Sequence, residues 1–563
     1  MSQTDPRQTV EQYHQQTKHQ AKRFARGPEF MDWENQPEPF RRYAGAPTYP
    51  LPVESWQKAP RFNIVHHRLG SGPVEPISAR GIATLLRLSL GLAAWKVVPK
   101  QNDRWSLRCN PSSGNLHPTE GYLVLPSLPA EGELPPLPAG VYHYDPFSHQ
   151  LEQRACTPLA QQSGWLNQEG VILGLSSIPW RELWKYGERA YRYCQLDTGH
   201  AIAGVRYAAA MVGWSVTVLN GISDEAIENL LGLHPAPLKK GRPEGEQAEL
   251  LMLLTPGPIE SDRILAAEQQ IARWADMAKQ FQWQGTPNQL SPYYMDQWPI
   301  VDAVAEACHR PAETPPTQAS EPDRLPKLQD GPSSLSLPEI ILQRRSAQKF
   351  DGQTALNREA FWRMLDRLLP RPQVAPWDSQ SWPTALHPLL FVHRVDDLEP
   401  GVYLLIRRAG AEAVLRNQIS KELEWEPVAE APTTLPLYRL VEGDCRHFAM
   451  GVSCRQSIAG DSAFSLGMLA EWQSGLEIGP WHYRNMFWEA GMLGHVLYLE
   501  AEAEGLRGTG IGCFFDDIIH DELLGMEGMA IQSLYHFTVG GAVEDERLST
   551  EAPYGHLAAD RQK

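Results

Sequence analysis

The chain has 563 residues, too many for one hydrophobic core, so two or more domains are expected. Its composition, 42% hydrophobic and 21% charged, is that of a globular protein, and a formal charge of −16 argues against a nucleic-acid or anionic-membrane partner. The 7 Cys lie scattered, with no C-x-x-C and no zinc-ligand spacing, so no metal site is expected and a reducing cytoplasm is. The first residues lack an apolar signal core, and no apolar run reaches the length of a membrane span, so neither secretion nor a membrane is expected.

Residues 1–60 are polar, with Pro and scattered aromatics (Phe40, Tyr43, Tyr49, Trp56), and read as an extended arm. Residues 61–300 form a first body. Its opening apolar spacing, Ile82, Leu85, Leu86 and Leu90, predicts a helix. Then comes Pro111-Ser112-Ser113-Gly114-Asn115-Leu116-His117-Pro118, before the strand-like run Tyr122 to Leu125. Such a loop cannot build a core, but it can bring backbone N–H groups and small hydroxyls up to a flat polar ligand. Further strands are predicted at 171–175 and 250–254, and an amphipathic helix at 201–212. Residues 301–338 are rich in Pro, Ser, Thr and Gln and read as a linker. The second body, 339–563, carries Arg344-Arg345 and a helical spacing at Phe361, Met364, Leu365 and Leu368. It continues with strands at 389–392 and 534–539 and a helix at 491–504. Helices and short strands without a regular alternation give an α+β class.

The bodies read as diverged copies of one unit. Each opens with a basic pair, His67-Arg68 or Arg344-Arg345. Each has a Leu-His-Pro (116–118 and 386–388) and a Gly-Val-Tyr (140–142 and 401–403). Tyr191-Arg192 precedes Asp197, Gly199 and Gly213 at the spacing with which Tyr483-Arg484 precedes Glu489, Gly491 and Gly505.

Pro111 to Pro118, Gln343-Arg344-Arg345-Ser346 with Phe350, and Gly510-Ile511-Gly512-Cys513-Phe514-Phe515-Asp516-Asp517 together resemble the FMN-binding stretches of the nitroreductase superfamily. Lys185-Tyr186-Gly187-Glu188-Arg189-Ala190-Tyr191-Arg192-Tyr193 and Tyr13-His14-x-x-Thr17-Lys18 resemble its SagB/ThcOx branch, the azoline dehydrogenases of peptide natural-product maturation. The resemblance spans nearly the whole chain, as two fused units. It implies, for each unit, a mainly antiparallel sheet flanked by helices, and FMN at an interface between two such units. Here that interface is expected within one chain, giving a pseudo-dimeric monomer. It also implies a peptide- or carrier-bound substrate, with a cyclodehydratase or another biosynthetic enzyme as partner.

The chemistry fits these residue types. A phosphate calls for guanidinium and hydroxyl donors, which Arg344, Arg345 and Ser346 offer. A flavin ring calls for backbone N–H groups, which Pro111, Ser112, Ser113, Gly114 and Asn115, and Gly510, Ile511, Gly512 and Cys513, are expected to present from turns. Aromatising an azoline removes a hydride and a proton, and Lys185 and Tyr186, present only in the first unit, are the candidate base. Tyr186 serves if Lys185 lowers its pKa. The second unit keeps the Arg pair and the Gly-rich stretch but has Ser381 to Pro388 in place of the Ser-rich loop. The first keeps the loop but has His66-His67-Arg68 and Trp214 to Leu219 in place of the others. The retained halves are complementary, so one complete site and one FMN per chain are expected. Two other readings use the same chain: an NAD(P)H-dependent nitro- or quinone reductase, and a flavin-free scaffold that docks peptides.

Overall fold

The computed structural model describes the chain apart from residues 1–4, 54–55, 57–58, 67–73, 102, 157–169, 234–243, 295–296, 313–325, 332–333, 527 and 561–563. Its frame is two seven-stranded sheets. The first holds β1 (Thr48–Pro50), β2 (Thr119–Leu125), β3 (Gly140–Asp145), β4 (Gln150–Cys156), β5 (Val171–Ser177), β6 (Trp214–Val218) and β7 (Gln247–Pro256), in the order β1-β4-β3-β2-β5-β7-β6. The second holds β8 (Leu386–Val392), β9 (Gly401–Leu405), β10 (Glu426–Pro427), β11 (Leu437–Glu442), β12 (Phe464–Ala470), β13 (Arg507–Ile511) and β14 (Gln532–Gly540), in the order β10-β11-β9-β8-β12-β14-β13. Apart from the outer edge strands β1 and β10, which come from different places in their units, the two orders match strand for strand, and neighbours run antiparallel throughout. The central strands are buried along their whole length because helices cover both faces, which is why they read as apolar runs rather than as alternation.

Five helices frame the interface between the sheets: α1 (Pro6–Gln16), α2 (Pro179–Tyr186), α3 (Ala190–Ala210), α4 (Leu337–Gln343) and α5 (His482–Ala503). Asp5 caps α1 and Pro6 stands in its first turn. Ser336 and Glu339 close a capping box on α4, which stops at Arg344, already extended at φ −51°, ψ 126°. Helices α3 and α5 begin about ten residues before the stretches the amphipathic pattern marked. Their leading halves are buried on every side, and a helix without a solvent face has no amphipathic signal to read.

Helices α3 and α5 cross at the centre of the molecule. A Cβ on Gly199 would lie 2.2 Å from the Trp488 carbonyl oxygen, and one on Gly491 would lie 2.3 Å from that of Leu196. Only glycine at both positions lets the backbones come this close. Tyr191 and Tyr483, which hold equivalent places, stack with ring centroids 6.3 Å apart and planes 1° from parallel. One hydrophobic core runs through both units, from Val10 to Val539.

Some expectations change in detail. The arm is not simply extended: α1 lies in it, and its residues 48–50 join the first sheet. The helix Pro299–Ala307 runs into the stretch read as linker, and residues 313–325 lie outside the described residues. So does the basic pair His67-Arg68. The Gly-Val-Tyr segments are equivalent, but the Leu-His-Pro segments are not. Gly140 pairs with Leu125 and Gly401 with Val392, so Leu386 stands level with Thr119, not with Leu116. His117 sits in a loop at φ +54°, whereas His387 is a strand residue joined to Glu471 at 3.1 Å.

Candidate active site

A cavity of about 450 Å³ opens between the units. Its walls include all twelve residues expected to hold a cofactor: Pro111, Ser112, Ser113, Gly114 and Asn115 from the first unit, and Arg344, Arg345, Ser346, Gly510, Ile511, Gly512 and Cys513 from the second. Tyr186 joins them. The size is that of an ordinary small-molecule site.

The Ser-rich loop is a single 3₁₀ turn over Ser113–Asn115, with Gly114 at φ +59°. It is tied to α3 rather than left open. Ser113 donates to the Asp197 carboxylate through both its N–H and its hydroxyl, each at 3.0 Å. The Asn115 amide donates to the Ser106 carbonyl at 2.9 Å, and the Ser112 hydroxyl accepts from the His117 N–H at 2.8 Å. The donors that sequence reasoning assigned to a ligand therefore shape the loop in large part. Asp197, seen in the sequence only as a spacing mark, is the residue that holds it. Burial pushes the Asp197 carboxyl up to about 7, against the pull of those hydrogen bonds.

The Gly510–Cys513 stretch is not a turn. Gly510 and Ile511 end the edge strand β13. Their glycines make room for aromatic rings: a Cβ on Gly512 would lie 2.2 Å from Tyr193, and one on Gly510 would overlap the Tyr535 hydroxyl. The Gly510 N–H already donates to the Tyr498 hydroxyl at 3.0 Å, and Tyr498 is 2.8 Å from the Ser346 hydroxyl. Tyr193, Tyr498 and Tyr535 are cavity residues that sequence reading missed.

The arginines give the cavity its charge. Arg344 is buried, donates to the Arg108 carbonyl at 2.9 Å and the Cys109 carbonyl at 3.3 Å, and so fastens the second unit to the strand leading into the Ser-rich loop. Arg345 donates to the carbonyls of Leu342 and Arg344. Among the described residues neither forms an ion pair. Burial, helped by neighbouring Arg344, brings Arg345 down to about 10, and burial brings Arg108 on the same wall to about 10. The Nε atoms of Arg108 and Arg344, Asn110 Oδ1 and His200 Nδ1 are buried on these walls without a hydrogen-bond partner. Buried and half-buried cations and unmet polar atoms around one cavity fit an anionic, polar ligand such as a flavin phosphate and ring.

Lys185 and Tyr186 end α2 and reach over the Ser-rich loop. The position of a Cβ on Gly114 would be 2.6 Å from the Tyr186 hydroxyl and 3.0 Å from Lys185 Nζ. The Tyr186 ring packs 4.3 Å from that of Tyr193, with Lys185 Nζ 5.4 Å from its centroid. The expected lowering of the Tyr186 pKa does not occur. Burial, then Glu182, pushes the phenol well up. Glu182, one turn back, is itself buried with no partner at either oxygen, and burial pushes its carboxyl up as well.

The remaining motif residues form a clamp behind the cavity. Asp516 pairs with Arg189 at 2.9 Å and Arg192 at 2.6 Å and accepts the His19 N–H at 2.8 Å. Arg192 also donates to the Thr17 hydroxyl and the His14 carbonyl, Tyr13 donates to the Glu188 carbonyl, and Lys18 pairs with Asp517 at 2.6 Å. Three stretches far apart in sequence are thus one structural device.

In the other half of the interface, beyond the end of β6, a void of about 20 Å³ lies between Leu219, Asp224, Arg310, Trp481, Arg484 and Trp488, while His67-Arg68, the pair read as the counterpart of Arg344-Arg345, lies outside the described residues. Arg484 forks onto Asp224 at 2.8 and 3.0 Å. Trp382, from the segment that replaces the Ser-rich loop, packs 5.7 Å from Trp488.

Residues 75–241 match the model of the nitroreductase family. A crystal structure of a protein described as a nitroreductase from Anabaena variabilis ATCC 29413 superposes with a TM-score of 0.66 at 22% identity, covering 95% of this chain and 99% of that one. The chain has the nitroreductase fold. A protein described as a nitroreductase from Ralstonia eutropha JMP134 covers 39% of this chain and 96% of its own at 14% identity, with a TM-score of 0.28. The E. coli microcin synthetase McbBCD complex covers 38% of this chain and 74% of its own at 23% identity, with a TM-score of 0.25. No curated protein matches the chain. No helix among the described residues is long and apolar enough to cross a membrane.

Proposed function

We propose that the chain is an FMN-dependent dehydrogenase that oxidises azolines to azoles on a peptide- or carrier-bound substrate, after a cyclodehydratase has made the ring. The observation that carries this is the meeting, in one 450 Å³ cavity, of the Ser-rich loop and Tyr186 from one unit with Arg344, Arg345 and Ser346 from the other. Arg345 and Arg344 would hold the phosphate, and Ser346 with the ends of β13 and the Ser-rich loop would border the rest. Bound FMN would supply a two-electron hydride acceptor. Lys185 would take the ring proton, and the neutral Tyr186 hydroxyl would orient the azoline as a donor. Because both walls come from one chain, the site would be complete in a monomer.

The test is to purify the protein, measure released FMN per chain, and follow an azoline peptide by mass spectrometry without nicotinamide. One FMN per chain and loss of two hydrogens from the peptide are expected. Two FMN per chain would overturn the single-site reading. Rapid NAD(P)H oxidation with an untouched azoline would make the protein a reductase instead, and a colourless protein that binds the peptide would make it a scaffold.

Arg345→Ala should weaken FMN binding by roughly 1.5–3 kcal/mol, about 10- to 150-fold, since it removes one charge-assisted contact. Fluorescence titration of the apoprotein measures this, and unchanged affinity would place the phosphate elsewhere.

A further inference from the structure

We propose that Cys454 and Cys513 form a redox-active dithiol at the cavity wall, which reacts with the disulfide of a low-molecular-weight thiol and closes into an intramolecular disulfide. Cys513 lines the cavity, and both thiols are half-buried and free. The two thiols lie close enough to shift one another's titration. The two segments are fixed side by side: Phe515 N–H donates to the Val452 carbonyl at 2.8 Å, and the Gln456 amide donates to the Cys513 carbonyl at 2.9 Å. Cys454 and Arg455 both take left-handed backbone, at φ +52° and +62°, a costly arrangement for two consecutive residues with side chains.

The surroundings separate the two sulfurs by role. His19 Nδ1 accepts the Ala25 N–H at 3.0 Å, so its proton sits on Nε2, and the ring lies close enough to Cys513 for each to shift the other's titration. Arg189 lies beside it, donating to the Gly512 carbonyl at 3.2 Å. The neighbouring Cys454 thiol, then His19 and Arg189, pull the Cys513 thiol down against the effect of burial, while Cys513 and burial push Cys454 up. Cys513 is therefore the attacking thiolate and Cys454 the resolving thiol. In the first step the Cys513 thiolate attacks one sulfur of the external disulfide, forming a mixed disulfide and releasing one thiolate. In the second, Cys454 loses its proton and attacks Cys513 Sγ, forming the Cys454–Cys513 bond and releasing the second thiolate. The two cysteines are oxidised and the external disulfide is reduced to two thiols.

The test uses the full chain as purified, incubated with oxidised glutathione and mapped by mass spectrometry after blocking free thiols. A Cys454–Cys513 cross-link is expected in the wild type, a stalled glutathione adduct on Cys513 in Cys454→Ser, and neither product in Cys513→Ser. In the unmodified wild type, iodoacetamide at pH 6 should label Cys513 severalfold faster than in the denatured chain, the gain in thiolate exceeding the loss of nucleophilicity. A glutathione adduct that persists on Cys513 in the wild type, a cross-link between other cysteines, or equal labelling rates in native and denatured chain would each overturn the proposal. None of these readouts depends on what the cavity binds.

Discussion

Replacing Lys185 with alanine is expected to lower azoline turnover by about 10²–10⁴-fold, the usual contribution of a general base, while the protein keeps its flavin. Lys185 reaches over the Ser-rich loop beside Tyr186 yet is not among the residues that wall the cavity, so its loss leaves the cofactor walls in place. Tyr186→Phe should cost less, because burial keeps the phenol protonated and only a donor is lost. Turnover and released flavin, measured on the same preparations, separate the outcomes. Full activity in Lys185→Ala would remove the catalytic role, and a colourless variant would make Lys185 a cofactor-positioning residue.

Asp516→Ala should destabilise the protein by about 3–5 kcal/mol, the cost of stripping the partner from buried charges. It leaves Arg189 and Arg192 facing each other without a carboxylate and frees the His19 backbone, so α1 should loosen with it. The effect depends on pH. Burial opposes the Asp516 charge, but Arg189 and Arg192 outweigh it and hold the carboxyl below the usual range. The folded value is thus depressed. Its stabilisation is complete above the unfolded carboxylate range, near pH 4, and is lost as pH falls through the folded value. Thermal midpoints from pH 7 down to pH 3 should fall more steeply in the wild type than in the variant. Equal midpoints at pH 7 would show that the clamp contributes nothing.

The parts of this site that were legible in the sequence are those whose composition is out of place. Ser112 to Asn115 cannot build a core, and Arg344-Arg345 comes directly after an apolar helix, so both stand out. Asp197, Tyr193 and Tyr498 do not. They lie on α3 and α5, helices buried nearly all round, where a polar residue leaves no period to detect and its partners are up to hundreds of positions away. The Leu-His-Pro echo misled for a related reason: three residues can recur by chance, and only strand register decides equivalence. The Gly-rich stretch was found and lines the cavity, but its packing was not legible. A sequence cannot tell a glycine that admits a ligand from one that admits a tyrosine ring, and Gly510 and Gly512 do the second.

The fusion of two like units in one chain has a consequence for how this molecule can vary. In a symmetric homodimer every substitution appears twice, so a change that helps one active centre is imposed on the other. Here Trp382, Trp481 and Trp488 occupy one side while the Ser-rich loop serves the other, and each side mutates alone. The Ser-rich loop can change without a matching change in the Ser381–Pro388 segment, and that segment can be repacked without altering the loop. Two positions that would be one in a symmetric dimer are free here to diverge, each in its own half of one chain.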